Sequence, residues 1–91
     1  MNKKIIIASL AMDLKRVALG LHRGSYKMVD RFKEEALKRE GELKGEKDKY
    51  LIKLLFETRK MLTETSDRAA EDALMYSTLF QNYVTKKFMG G

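Results

Sequence analysis

Residues 5 to 21 read IIIASLAMDLKRVALGL, and the way this stretch folds decides the rest of the chain. Ile7, Leu10, Leu14, Val17 and Leu21 recur at alternating spacings of three and four, which lines one face of an α-helix. Ile5, Met12 and Leu19 recur every seven residues and fall roughly on the opposite face. A surface helix needs one apolar stripe. Two stripes predict either a helix central to a bundle or one whose second face meets another chain.

The flanks show where this helix stops. Gly20 and Gly24, followed by Ser25, mark its end near residue 21, because glycine supplies the left-handed geometry of a helix C-cap. Lys3-Lys4 before an apolar run also has the outline of an export signal. Asp13, Lys15 and Arg16 interrupt that run, and the stripe continues past them to Leu21, so residues 3–21 read as a structural helix. No stretch approaches the roughly 20 apolar residues of a membrane span.

Three further helices follow. Ser25 is placed to cap a helix over 26–42, whose apolar set is thin: Tyr26, Val29, Phe32, Ala36 and Leu43. Glu34 precedes Lys38, Glu35 precedes Arg39 and Glu40 precedes Lys44, each by four residues, the favourable order for pairs on a solvated face. Gly41 and Gly45 predict a turn over 41–47. A helix over 46–63 is dense in large apolar groups, with Leu51, Leu55 and Leu62 in one stripe and Leu54 and Met61 beside it. Tyr50, Ile52 and Phe56 widen that face, which suits the middle of a core.

Thr63-Glu64-Thr65-Ser66-Asp67 is rich in side chains that compete for backbone hydrogen bonds. It predicts a break, with Ser66 or Asp67 capping a helix over 67–88. Without the break, one helix of some forty residues would remain. The last helix starts small, at Ala69, Ala70 and Ala73, and ends bulky, at Tyr76, Leu79, Phe80, Tyr83, Val84 and Phe88. Alanines let a neighbouring backbone approach, while aromatic groups need a pocket or a partner. No alternating strand pattern occurs. The expected fold is a single all-α domain over 1–91, an antiparallel bundle of three to four helices, with Met89-Gly90-Gly91 as a frayed tail.

Composition bounds the chemistry. The 91 residues suit one small domain. There is no cysteine, so disulfides and thiolate metal sites are excluded, and the expected compartment is the cytoplasm. His22 is the one histidine, so no histidine cluster exists, and neither a metal nor a cofactor is expected. The acidic groups interleave with lysines and offer no carboxylate pair for catalysis. No glycine-rich phosphate loop or nucleophile elbow is present, and no small-molecule substrate is predicted.

Arg16 and His22 enclose five residues, and Tyr26 follows four later. This spacing resembles the Arg-x(4–6)-His element of the HEPN-type helical-bundle RNases. The resemblance implies RNA cleavage by the histidine and arginine, and covers only Arg16 to Tyr26. In that family the element usually lies towards the end of the domain, whereas here it ends the first helix. The plainer reading makes Arg16 a surface charge and His22 a polar helix terminus favoured by the dipole.

Net charge is +6. Residues 1–24 carry Lys3, Lys4, Lys15, Arg16 and Arg23 against Asp13, five minus one, and so hold +4 of it. With Lys27 and Arg31 these groups suggest a patch at the corner between helices one and two, suited to salt-dependent, sequence-blind nucleic-acid binding. A basic helix lying on anionic lipid is a further alternative. The favoured expectation is a non-enzymatic protein–protein interaction module, a homodimer or a component of a larger complex. Its contact residues would be Ile5, Met12, Leu19, Tyr76, Phe80 and Tyr83, the apolar groups in excess of one stripe per helix.

Overall fold

A computed structural model describes residues 2–64 and 66–88. Four helices occur among them: α1 (Lys3–Arg23), α2 (Tyr26–Glu42), α3 (Lys49–Thr63) and α4 (Ala69–Phe88). They form an elongated bundle of 37 × 23 × 22 Å. The expected frayed tail at Met89–Gly91 lies outside the described residues, as does Thr65.

The helices run up, down, up and down. Gly20 of α1 meets Val29 of α2, while Lys3 at the start of α1 pairs with Glu46 just beyond α2 at 3.0 Å. On the other side, the Ser77 hydroxyl of α4 donates to the Ala11 carbonyl at 2.7 Å, and the Lys3 ammonium lies 5.6 Å from the Tyr83 ring centroid. α1 packs closely along α4 and α2, and α3 meets those two helices over shorter stretches. Small groups allow the close α1–α4 approach: Ala11 and Ala18 on one helix, Ala73 and Ser77 on the other, all buried.

The first stripe of α1 is core, as its spacing predicts. Ile7, Leu10, Leu14 and Val17 are fully buried, each worth about 1.5–3 kcal/mol against exposure. Ile6, Ala11 and Ala18 extend the buried arc to about half the helix circumference. Leu51, Leu54, Leu55 and Leu62 of α3 and Phe80, Tyr83 and Val84 of α4 complete the core.

Helix ends depart from expectation in informative ways. α1 runs to Arg23, past Gly20. Gly24 takes the left-handed conformation, φ 69°, and its N–H bonds the Leu21 carbonyl while that of Ser25 bonds the Gly20 carbonyl. This is the Schellman arrangement. Gly20 therefore does not stop the helix. It is a notch, because a Cβ there would sit 2.9 Å from Val29 Cγ2 and 3.2 Å from Val29 N. Asn2 caps α1, its Oδ1 accepting from Ile5 N at 2.9 Å. Ser25 precedes α2 without a side-chain cap bond.

α3 starts at Lys49 rather than near Glu46, because Asp48 Oδ1 accepts from the N–H groups of Tyr50 and Leu51. Glu46 instead binds the turn, accepting from Lys47 N and Asp48 N. The break before α4 is real. Ser66 makes it, its Oγ accepting from Arg68 N and its carbonyl from Ala69 N.

Candidate functional site

The second stripe of α1 faces outward. Ile5, Met12 and Leu19 are 48%, 40% and 41% exposed, and they lie outside both buried clusters of the described residues. They occupy the middle of the arc left open by α2 and α4, flanked by exposed Lys4, Lys15, Arg16 and Arg23. Beside the stripe, between α1 and α2, runs a shallow groove of about 400 Å³ lined by Ile5, Ala8, Ser9, Met12, Asp13, Arg16 and Arg39.

One wall of that groove is a buried carboxylate. Asp13 is almost inaccessible, and Arg16 Nη1 stands 3.6 Å from its Oδ1. Burial pushes the Asp13 carboxyl above its ordinary value, with Arg39 and Arg16 opposing the rise. Arg39 is held by Glu42 at 3.0 Å, while its buried Nε finds no hydrogen-bond partner among the described residues. Arg16 is fixed a second time, its guanidinium 5.2 Å from the Phe32 ring centroid, within cation–π range. The rim of the groove is thus pinned in place.

The α4 aromatics take other positions. Phe80 is 0% exposed and Tyr83 is buried, so neither is free to contact a partner. The reason lies in the register. Residues 73, 77, 80 and 84 follow one another at three or four, so Phe80 belongs to the inward stripe that begins at Ala73. Tyr83 borders it and is claimed by its hydroxyl, which donates to Asp48 Oδ2 at 2.8 Å. Its ring stacks on Tyr50 at 6.2 Å. Tyr83 thereby fastens α4 to the start of α3, and its hydrogen bond holds the Asp48 carboxyl below its ordinary value. Glu46 is likewise lowered, first by the Asp48 N–H. Tyr76 is half-buried, and burial with the nearby Glu57 and Asp72 carboxylates raises its hydroxyl. Of the six expected contact residues, Ile5, Met12 and Leu19 form one outward stripe.

Of the basic residues expected at the corner between α1 and α2, Arg16, Arg23, Lys27 and Arg31 lie on the parts of α1 and α2 next to it, whereas Lys3 and Lys4 do not. Lys3 and Lys4 open α1 while Arg23 closes it, about 30 Å away at 1.5 Å per residue. Lys3 is also neutralised by Glu46. Arg16 and Arg31 share the Phe32 ring, each 5.2 Å from its centroid. Lys15, Arg23 and Lys27 are exposed. His22 is exposed, and the Arg16 guanidinium is committed to Asp13 and Phe32. No group of three or more potential metal ligands occurs among the described residues, and no described helix is long and apolar enough to cross a membrane.

A second apolar surface escaped the sequence reading. Phe56 is 67% exposed and Ile52 is exposed beside it, over a groove of about 280 Å³ whose lining includes Leu43 and Leu55. Both residues were expected in the core. The signal was there: Ile52 and Phe56 lie four apart, each one position beyond Leu51 and Leu55, and so rotated about 100° out of the buried stripe. Known protein families, curated proteins and solved structures contain no match to this chain.

Proposed function

We propose that the protein is a small non-enzymatic interaction module that associates through the outward face of α1. The observation that carries this reading is the stripe of Ile5, Met12 and Leu19, apolar and uncovered along a helix whose opposite face already fills the core. Contiguous apolar surface rimmed by polar groups is typical of protein contacts. The pinned Arg16 and the groove beside Met12 add a shaped rim, which lowers the ordering cost of docking.

Sedimentation of the parent chain beside Met12→Glu tests the reading. The parent is expected to associate at about micromolar or higher concentration, and Met12→Glu to remain a monomer with an unchanged helical circular-dichroism spectrum. A parent that stays monomeric throughout, with Met12→Glu indistinguishable from it, refutes the role assigned to α1.

A further inference from the structure

A cleft of about 270 Å³ opens between the start of α3 and the end of α4, lined by Asp48, Tyr50, Asn82, Tyr83, Lys86 and Lys87. None of the α1 stripe takes part in it. Spacing builds one wall: Asn82 and Lys86 lie four apart on α4, as do Tyr83 and Lys87, so the helix turns two adjacent rows to this side. Asp48 and Tyr50, the cap and first turn of α3, make the other wall. The rings of Tyr50 and Tyr83 are nearly parallel, at 11° with centroids 6.2 Å apart. Tyr83 is buried and tied through its hydroxyl to Asp48 at 2.8 Å, and Phe88 meets its ring edge-on. The exposed Tyr50 ring is therefore backed by a fixed one. An exposed ring held in place is a platform on which another π-face can stack. Asn82, also exposed, offers an amide donor and acceptor beside it.

The charge around the rings is cationic. Lys3 and Lys87 stand 5.6 Å and 6.0 Å from the Tyr83 centroid, Lys86 lines the cleft, and Lys47 and Lys49 flank Asp48 in the chain. Against these five lysines stand two carboxylates, Glu46 and Asp48, and both are committed. Glu46 accepts from the Lys3 ammonium and from the N–H groups of Lys47 and Asp48. Asp48 accepts from the N–H groups of Tyr50 and Leu51 and from the Tyr83 hydroxyl. Lys87 lies 3.8 Å from Asp48 Oδ2, which keeps its ammonium at the cleft. Lys86 enters no ion pair among the described residues. Such an excess attracts a phosphate, while the ring platform selects a planar group joined to it. The volume is just under the roughly 300–1,000 Å³ of small-molecule sites, which suits one base with its phosphate. We infer that this cleft binds a nucleoside phosphate, its base against Tyr50 and its phosphate on Lys86 and Lys87.

Nuclear magnetic resonance titrations of the full chain at low salt test this with AMP, adenosine, inorganic phosphate and a short oligoadenylate. AMP is expected to shift the Tyr50 and Asn82 signals saturably, and to bind several-fold more tightly than adenosine or phosphate alone, because it uses both parts of the cleft. Tyr50→Ala and Lys86→Gln, both at exposed positions, are each expected to weaken AMP binding about five-fold or more, with unchanged circular dichroism. Two results support the cleft and name the source of its ligand. An oligoadenylate no tighter than AMP identifies the free nucleotide, and one that is several-fold tighter identifies a single strand. Phosphate that matches AMP, or a Tyr50→Ala variant with the parent's affinity for AMP, reduces the site to a cluster of lysines and overturns the inference. So does the absence of any saturable shift at Tyr50 and Asn82.

Discussion

Replacing Gly20 and Gly41 in turn by alanine should shift stability in opposite directions, although both glycines lie inside helices. In a helix interior glycine costs about 1 kcal/mol relative to alanine, so propensity alone makes both changes favourable. At Gly20 the added Cβ meets Val29 Cγ2 at 2.9 Å, Val29 N at 3.2 Å and Met28 Cγ at 3.3 Å. Val29 is buried, and its branched side chain has essentially one rotamer available in a helix. The backbone nitrogen cannot yield unless the whole of α2 moves. Overpacking of this kind costs about 1–3 kcal/mol, and with the propensity gain of about 1 kcal/mol subtracted, Gly20→Ala is destabilised by about 1 kcal/mol at the middle of that range. At Gly41 a Cβ meets nothing within 4 Å, and the expected gain is about 0.5–1 kcal/mol, part of it from a stiffer unfolded chain. With about 4–8 °C per kcal/mol for a domain of this size, thermal unfolding should start lower in Gly20→Ala and higher in Gly41→Ala. Circular-dichroism melts at one fixed protein concentration read both shifts, since association would otherwise move the midpoints. A Gly20→Ala variant as stable as the parent refutes the close α1–α2 approach, and with it the reading of Gly20 as a notch.

Two further outcomes follow from the core and the α3 cap. Phe80→Ala, at a fully buried site, should cost about 3–5 kcal/mol. Phe56→Ser, at an exposed one, should stay within about 0.5 kcal/mol, and denaturant titrations of the two variants measure the contrast. Stability should fall as pH drops through the lowered values of Glu46 and Asp48. Their contribution is present above the unfolded-state values near 4 and lost on acidification. Tyr83→Phe removes the first cause of the Asp48 shift, so it should lower stability at neutral pH and flatten the acid limb of a melting-temperature profile. Asp13 acts with the opposite sign: its carboxyl is raised, so protonation favours the folded state and partly offsets the acid loss. A Tyr83→Phe profile parallel to that of the parent down to low pH would show that the Asp48 bond contributes nothing.

The four helices were legible because each carries an apolar stripe at helical spacing, and the Ile7, Leu10, Leu14, Val17 series indicated the buried face of α1 directly. That Ile5, Met12 and Leu19 share one face opposite the core was legible for the same reason, since a seven-residue repeat keeps one face, but only the structure shows that this face points outward rather than into the bundle. What was lost depends on three dimensions. A glycine near a helix end reads as a stop, and only the position of Val29 reveals Gly20 as a notch. Asp48 as the α3 cap was hidden behind Glu46, because both are acidic and close to the turn. The α4 aromatics looked like surplus until α3 supplied partners, Asp48 for the Tyr83 hydroxyl and Tyr50 for its ring. Ile52 and Phe56 were counted inward because a wide apolar face has edges that composition does not locate.

The division of α1 into two arcs also decides how cleanly its outward face can be tested. Ile7, Leu10, Leu14 and Val17 hold the helix in the bundle without help from Met12. A charge at Met12 therefore touches a partly exposed position, where substitutions usually change stability by no more than about 0.5 kcal/mol. Loss of association in Met12→Glu can then be separated from unfolding by one melt at low concentration. Had Phe80 or Tyr83 been the contact, no such separation would exist, because the same side chains close the core and fasten α3. Arg16 lies between the two cases. It borders the stripe yet is tied to Asp13 and Phe32, so its loss would loosen the α1–α2 seam and the rim together. Met12, central in the stripe and outside both buried clusters, is the position at which association and folding can be perturbed one without the other.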